Sequence, residues 1–386
     1  MSSDFYDFAD QLTRLNQQGL YRRRRVTDGP QGILVRVDGK QVINFCSNDY
    51  LGLANHPEVA AGFKQAVDRY GVGSGSAHLI CGHGSAHHAL EEELAEFTGR
   101  DRALLFSTGY MANLGVISAL VGRNDRVFED RLNHASLLDG GLLSRARFMR
   151  FRHLDGKELQ AHLLAHPERT LIVSDGVFSM DGDLADLPVL AALAQQHQAG
   201  LLIDDAHGFG VLGRNGGGIV EHFGLAPGDV PILMGTFGKA FGTFGAFVAG
   251  SDDLIEILIQ KARSYVFTTA LPAAIAEATR VSLRLMQTET WRRDKLRFLV
   301  ARFRAGALQQ GLQLMDSFTA IQPVLVGDSQ LAVSISQSLL RQGFWVSAIR
   351  PPTVPAGTAR LRVTFSAEHE TQHVDALLDA LCKVMT

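Results

Sequence analysis

Between about residue 60 and residue 250, short apolar runs alternate with helical stretches. The runs are Ala103–Phe106, Arg126–Phe128, Phe148–Phe151, Leu171–Val173, Leu201–Ile203, Ile232–Met234 and Ala246–Ala249. Each is too short for a helix and is bounded by Gly, Asp, Pro or Arg, so each predicts a strand. Seven such strands alternating with helices imply an α/β domain whose largely parallel sheet is covered on both faces. Ligands of such sheets bind beyond the carboxyl ends of the strands. The polar residues after each run are therefore the first place to look for chemistry.

The flanks have other rhythms. Residues from about Phe5 to Leu20 read as a polar amphipathic helix, followed by the arginine run Arg22–Arg25. Two alternating stretches, Ile33–Val37 and Lys40–Phe45, then flank Asp38-Gly39, which is a strong hairpin signal. After about residue 285 a long amphipathic helix near Thr290–Gln310 leads into short strands near Val324, Trp345 and Leu361. Helices near Ser329–Gln342 and Glu370–Val384 complete a smaller α+β unit. The expected division is an N-terminal helix and hairpin arm (1–50), a large domain (51–285) and a small C-terminal domain (286–386).

Charge removes some functions. The 386 residues carry 37 basic and 40 acidic side chains, a net charge of -3. That is not the balance of a nucleic-acid or membrane-surface binder. No apolar run is long enough to span a bilayer, and the first residues lack the basic and apolar segments of a secretory signal. Three scattered cysteines, Cys46, Cys81 and Cys382, fit a reducing, cytoplasmic setting. Lysine is scarce: Lys40, Lys64, Lys157, Lys239, Lys261, Lys295 and Lys383 are the whole set.

The segments that follow the strands are Ser107-Thr-Gly-Tyr110, Asn133-His-Ala-Ser136, Ser174 to Asp183, Asp204-Asp-Ala-His207 and Gly235-Thr-Phe-Gly-Lys239. A phosphate loop fails here, because its first glycine falls on Leu233 and Ala240 replaces the magnesium-holding hydroxyl. A dinucleotide fingerprint at Gly71–Gly75 fails too, because Ser76 stands at the third glycine and no apolar strand precedes it. Pyridoxal phosphate chemistry uses every segment. It needs a lysine for a Schiff base, an acid for the pyridine nitrogen, donors for the phosphate and a surface for the ring. Lys239 follows a strand, whereas Lys40 is in the hairpin, Lys157 in a loop and the others in helical stretches. Asp204 ends a strand, and a carboxylate there favours the protonated ring nitrogen. Ser107–Tyr110 precedes a helix whose N-terminal amides suit a phosphate.

These segments, with Ser47-Asn-Asp-Tyr-Leu-Gly-Leu53 and Phe178-Ser-Met-Asp-Gly-Asp183, give the chain its resemblance to the α-oxoamine synthases, from about residue 20 to the end. Those are fold type I pyridoxal 5'-phosphate enzymes that condense an amino acid with an acyl thioester and release carbon dioxide. The resemblance implies Lys239 as the Schiff-base lysine, Asp204 at the pyridine nitrogen, His134 stacked on the ring and His207 on the ring hydroxyl. It implies the amides of Gly109 and Tyr110, with Thr236 and Ser179, at the phosphate. It further implies a homodimer with shared active sites, in which Thr268 or Thr269 reaches the partner's phosphate. Arg362 would meet the amino-acid carboxylate, and Arg22 and Asn48 would lie by the substrates. Arg350 and Thr353 would belong to a closing segment.

Ala348–Arg362 and His87–Leu94 are similar to the members that join L-alanine to a pimeloyl thioester, on coenzyme A or an acyl carrier protein, in biotin synthesis. A member using glycine and acetyl-CoA, or a non-catalytic scaffold of the same fold, is the alternative. Asp175 stands where the family more often has Glu, and Ser74–His78 is less glycine-rich than usual. The histidines His78, His83, His87 and His88 include an i, i+4 pair, His83 and His87. No cysteine or carboxylate set accompanies them in the pattern, so a solvated helix start is expected and no metal.

Overall fold

The computed structural model describes residues 8–18 and 20–385. All seven apolar runs are strands of one sheet. In chain order they are β1 (Arg102–Phe106), β2 (Arg126–Asp130), β3 (Arg147–Phe151), β4 (Thr170–Asp175), β5 (Gly200–Asp204), β6 (Ile232–Thr236) and β7 (Ala246–Gly250). Their spatial order is β1-β7-β6-β5-β4-β2-β3. Pairing is parallel from β6 through to β3, and β7 alone runs antiparallel to both its neighbours. β2, β4 and β7 are buried along their whole length. That is why β4 and β7 carry the continuous apolar runs Leu171–Val173 and Ala246–Ala249 rather than alternating ones, while β2 also buries the charged Arg126, Glu129 and Asp130. One face packs Leu104, Phe106, Val116 and Ile117, the other Phe209, Phe237, Phe241 and Phe247.

Helices start where side chains offer oxygens to free amides. Asp155 accepts from Glu158 N at 2.9 Å and so begins the helix Gly156–Ala165. Lys157 therefore lies in a first helical turn, not in the loop expected from Asp155-Gly156.

The β6–β7 connection is short and pinned at both feet. Thr236 pairs with Ala246, and Phe237 N donates to Gly245 O at 2.9 Å. Within it Gly242 N donates to Lys239 O and Thr243 N to Phe237 O, each at 2.9 Å.

The N-terminal helix covers Phe8–Gln17; the expected start at Phe5 lies outside the described residues. Leu34–Val37 and Lys40–Asn44 form the hairpin, with Asp38 at φ 49° and Gly39 at φ 81°. Positive φ at both central residues is what Asp-Gly supplies in such a turn. The hairpin does not stand alone. Phe344–Trp345 pairs in parallel with Ile43 and Asn44, so the arm is joined to the C-terminal unit. That unit holds an antiparallel sheet of Ile321–Gly327, Ala359–Thr364 and Ser347–Ile349, with helices Trp291–Gln309, Ser329–Arg341 and Thr371–Met385. The helix Ala273–Thr288 runs through the position where the large and small units were divided.

Candidate active site

The carboxyl ends of β1, β2, β4, β5 and β6 share one edge of the sheet. After β1, Thr108 caps the helix Gly109–Leu120 by accepting from Met111 N at 3.2 Å. The amides of Gly109 and Tyr110 have no acceptor among the described residues. They form an anion-ready helix start. The Thr236 Cβ lies 3.9 Å from where a Cβ on Gly109 would be, so Thr236 flanks this turn. Its hydroxyl already donates to Gly245 O at 2.9 Å.

Asp204 ends β5 and is buried. Its Oδ2 accepts from Asn113 Nδ2 at 2.7 Å and its Oδ1 from Ala206 N at 3.0 Å. Asp175, its register partner on β4, accepts from His134 N at 2.7 Å. The Asp175 carboxylate thus positions the His134 backbone. Burial, reinforced by the Asp204 charge, pushes Asp175 well above the usual carboxylate range. His134 begins the helix Ala135–Leu143, with Nδ1 2.8 Å from Ser136 Oγ. Its side chain is only partly covered, leaving ring surface open to a stacked partner. Burial lowers its pKa.

His207 Nδ1 lies 2.7 Å from Tyr50 OH. Burial, helped by Lys239, holds His207 well below the usual imidazole range. Tyr50 OH donates to Asn48 Oδ1 at 3.1 Å, and Asn48 Oδ1 accepts from both terminal nitrogens of Arg362 at 3.2 Å. Arg362 Nε donates to Ser179 O at 2.6 Å. Arg362 is buried and has no carboxylate partner among the described residues. The Lys239 amine makes no hydrogen bond or close ion pair there either. Burial lowers Lys239 to about 8, against the pull of Asp204 and Asp175.

The structure brings Lys239, Asp204, His134 and His207 into one electrostatic cluster, with Arg362 acting on Lys239 and His207. Asn48 and Ser179 join it through Arg362. Thr269 O accepts from Ser107 Oγ at 3.3 Å, so this segment lies beside the chain's own phosphate turn. Arg22 is exposed and lines a groove of about 1030 Å³ with Tyr21 and Arg23–Arg25. Arg350 Nη2 donates to Tyr21 O at 3.1 Å, and Thr353 N to Arg350 O. Arg350 and Thr353, on the C-terminal unit, thus meet the arm beside Arg22, apart from the cluster around Lys239.

Two members were missed in the sequence. Asn113 is the lone amide in the apolar helix Gly109–Leu120, and that isolation was the available signal. Tyr50 lay inside the Ser47–Leu53 motif, but nothing in its spacing tied it to His207.

The donor set fits pyridoxal 5'-phosphate: a free amide pair at a helix start, an unpaired lysine, a hydrogen-bonded carboxylate and an open imidazole face. The class I and II aminotransferase model matches residues 40–381. Among relatives, 8-amino-7-oxononanoate synthase of Methylococcus capsulatus is 62% identical over 97% of each chain. That of Nitrosococcus oceani is 62% identical over 97% of this chain and 100% of its own. The chain belongs to the 8-amino-7-oxononanoate synthase family. Serine palmitoyltransferase of Sphingomonas wittichii has the same fold, with TM-score 0.94 and 34% identity over 99% of this chain and 97% of its own. The S. paucimobilis enzyme, solved with bound PLP, gives TM-score 0.93 and 32% identity over 99% and 97%. These two relatives are thus nearly twice as similar in sequence as the two palmitoyltransferases. Like them, the chain is a fold type I, PLP-dependent enzyme.

Proposed function

We propose that the chain condenses L-alanine with a pimeloyl thioester, giving 8-amino-7-oxononanoate, carbon dioxide and free thiol, a step of biotin synthesis. The observation that carries this reading is a half-buried lysine amine, Lys239, with no hydrogen-bond or ion-pair partner among the described residues, acted on by a buried arginine, Arg362, that has no carboxylate partner among them.

Pyridoxal 5'-phosphate, when bound, supplies an aldehyde for amines and a ring that accepts the electron pair left on a substrate carbon. Lys239 would hold the aldehyde, Asp204 the pyridine nitrogen, His207 the ring hydroxyl and His134 the ring face. Gly109, Tyr110, Thr236 and Ser179 would serve the phosphate. Arg362, fixed by Ser179 O and Asn48, receives the alanine carboxylate in the fork geometry that suits it. Lys239, partly neutral near pH 8, takes the proton from the alanine α-carbon and later returns one. His134 would donate to the developing ketone oxygen. Arg22 stands near the acyl substrate, and Arg350 and Thr353 close over the site from the arm side. The chain works as a homodimer, with Thr268 or Thr269 serving the partner's phosphate.

The test is to offer alanine or glycine with pimeloyl, acetyl or palmitoyl thioesters and identify the products by mass. Alanine with the pimeloyl thioester is the productive pair. Lys239→Ala loses more than about 10⁴-fold in turnover, the upper end of a general base's contribution. Turnover of glycine and acetyl thioester alone would assign the site to another α-oxoamine synthase. An unaffected Lys239→Ala would remove Lys239 from it.

A further inference from the structure

A cluster of ligating groups away from the active site lies where the turn His78–Gly82 leads into the helix Ser85–Thr98. Ligand atoms of His83, His88 and Glu91 all lie within 4.8 Å of one another. We propose that these three residues form a site for a divalent transition-metal ion of the zinc class.

The support is in how the ligands are held. His83 Nδ1 lies 3.0 Å from His78 Nδ1, a hydrogen bond that orients the His83 ring. With Nδ1–H as the donor, His83 keeps a free lone pair on Nε2, which lies 3.8 Å from Glu91 Oε2. Glu91 Oε1 accepts from Leu105 N at 3.0 Å, which fixes the carboxylate and leaves Oε2 free. His88 Nε2 lies 3.3 Å from Glu92 Oε1 in an exposed pair that the ion would displace. His83 and Glu91, by contrast, are each tied to the protein by one atom with the other left for a ligand. Metal ligands are supported in this way by their outer partners. The Glu91 side chain is only 13% exposed, and its only ion-pair partner among the described residues is His83. A cation would supply the charge this carboxylate lacks. His88 stands one turn before Glu91 on the same helix face and completes a facial set of two nitrogens and one oxygen. That donor set suits zinc, cobalt or nickel better than magnesium or calcium.

The i, i+4 pair suggested by the sequence is not the ligand pair. His87 Nδ1 accepts from Gly84 N at 3.0 Å and His87 Nε2 bonds Leu271 O at 2.6 Å, so both its nitrogens are used. The missing carboxylate is Glu91. The other cluster of this kind, His153 with Asp181 and Asp183, is already occupied. Both ring nitrogens of His153 bond carboxylates, and Asp181 pairs with Arg360.

An ion here would bind the segment carrying His83 to the helix Ser85–Thr98, whose Glu91 already bonds β1 at Leu105. The test uses the full-length holoenzyme, stripped with a chelator and titrated with Zn²⁺ against a chromophoric competitor. The expected result is one Zn²⁺ per chain and a higher melting temperature with zinc. His88→Ala and Glu91→Gln each weaken binding by at least about tenfold. His88 is a surface residue, and Gln retains the acceptor for Leu105, so both variants should fold. Cys81→Ser, in the same turn, retains binding. No competitive binding of Zn²⁺, equal binding by His88→Ala and Glu91→Gln, or loss only in Cys81→Ser would each overturn the assignment.

Discussion

At Lys239 the loss of water around the ammonium outweighs the attraction of Asp204 and Asp175, and the amine comes to rest at about 8. Only the neutral amine attacks an aldehyde. Stopped-flow capture of pyridoxal phosphate by the apoprotein should therefore accelerate with pH in proportion to the free amine and level off above about 8. A plateau that began only near the ordinary lysine value of 10.5 would show that burial does not act. Asn113 tests the carboxylate side. Asn113→Leu leaves Asp204 Oδ2 without its 2.7 Å donor. The expected cost is about 1–3 kcal/mol in chemical denaturation, with faster loss of cofactor. The chemistry-bearing residues were legible because strand ends expose them in order along the chain. Asn113 was not, because it reaches the site from the interior of an apolar helix. Tyr50 was not, because its role depends on His207, which lies 157 positions away.

Elements were legible wherever burial was symmetric. β4 and β7 are covered on both faces, so their sequences show plain apolar runs. The pairing of Phe344–Trp345 with the N-terminal hairpin was not visible. Two residues carry no periodicity, and their partners lie some 300 positions earlier. Another tertiary link is electrostatic. His153 bridges Asp130, at the end of β2, and Asp183, in the Phe178–Asp183 segment, at 2.9 and 2.8 Å. Burial disfavours the imidazolium, but the bonds to Asp130 and Asp183 outweigh it and raise His153 to about 10. A raised folded-state pKa contributes stability that is complete below the ordinary 6.5 and fades as pH rises through 10. Melting temperatures between pH 7 and pH 10 should fall more steeply for the native chain than for His153→Gln. Parallel curves would remove His153 from this role.

For the whole molecule, the strand Ala359–Thr364 meets the Phe178–Asp183 segment. Arg362, on the small unit's central strand, bonds Ser179 O, and its neighbour Arg360 pairs with Asp181. Ser317 Oγ donates to Gly182 O at 2.8 Å. These contacts, with Thr319 Oγ1 donating to Gly182 O at 3.1 Å, thus fasten one loop of the large unit to the small one. The Arg360 side chain is 4% exposed and that of Asp181 11% exposed. Arg360→Met strands a buried carboxylate, and denaturant titration should show a loss of about 3–5 kcal/mol. A smaller loss, within 1 kcal/mol, would mean that water or His153 compensates Asp181.

The pinned β6–β7 connection bears on turnover. In the proposed reaction Lys239 would give way to an incoming amino acid and later replace the product. Both feet of its loop are held in the sheet, so the displaced amine stays beside the reacting carbon. For well-placed intramolecular groups the effective concentration is on the order of 10⁵ M or more. No dissolved amine approaches that value. Product release is thereby driven by a tethered competitor, which makes each catalytic cycle independent of the amines in the surrounding solution.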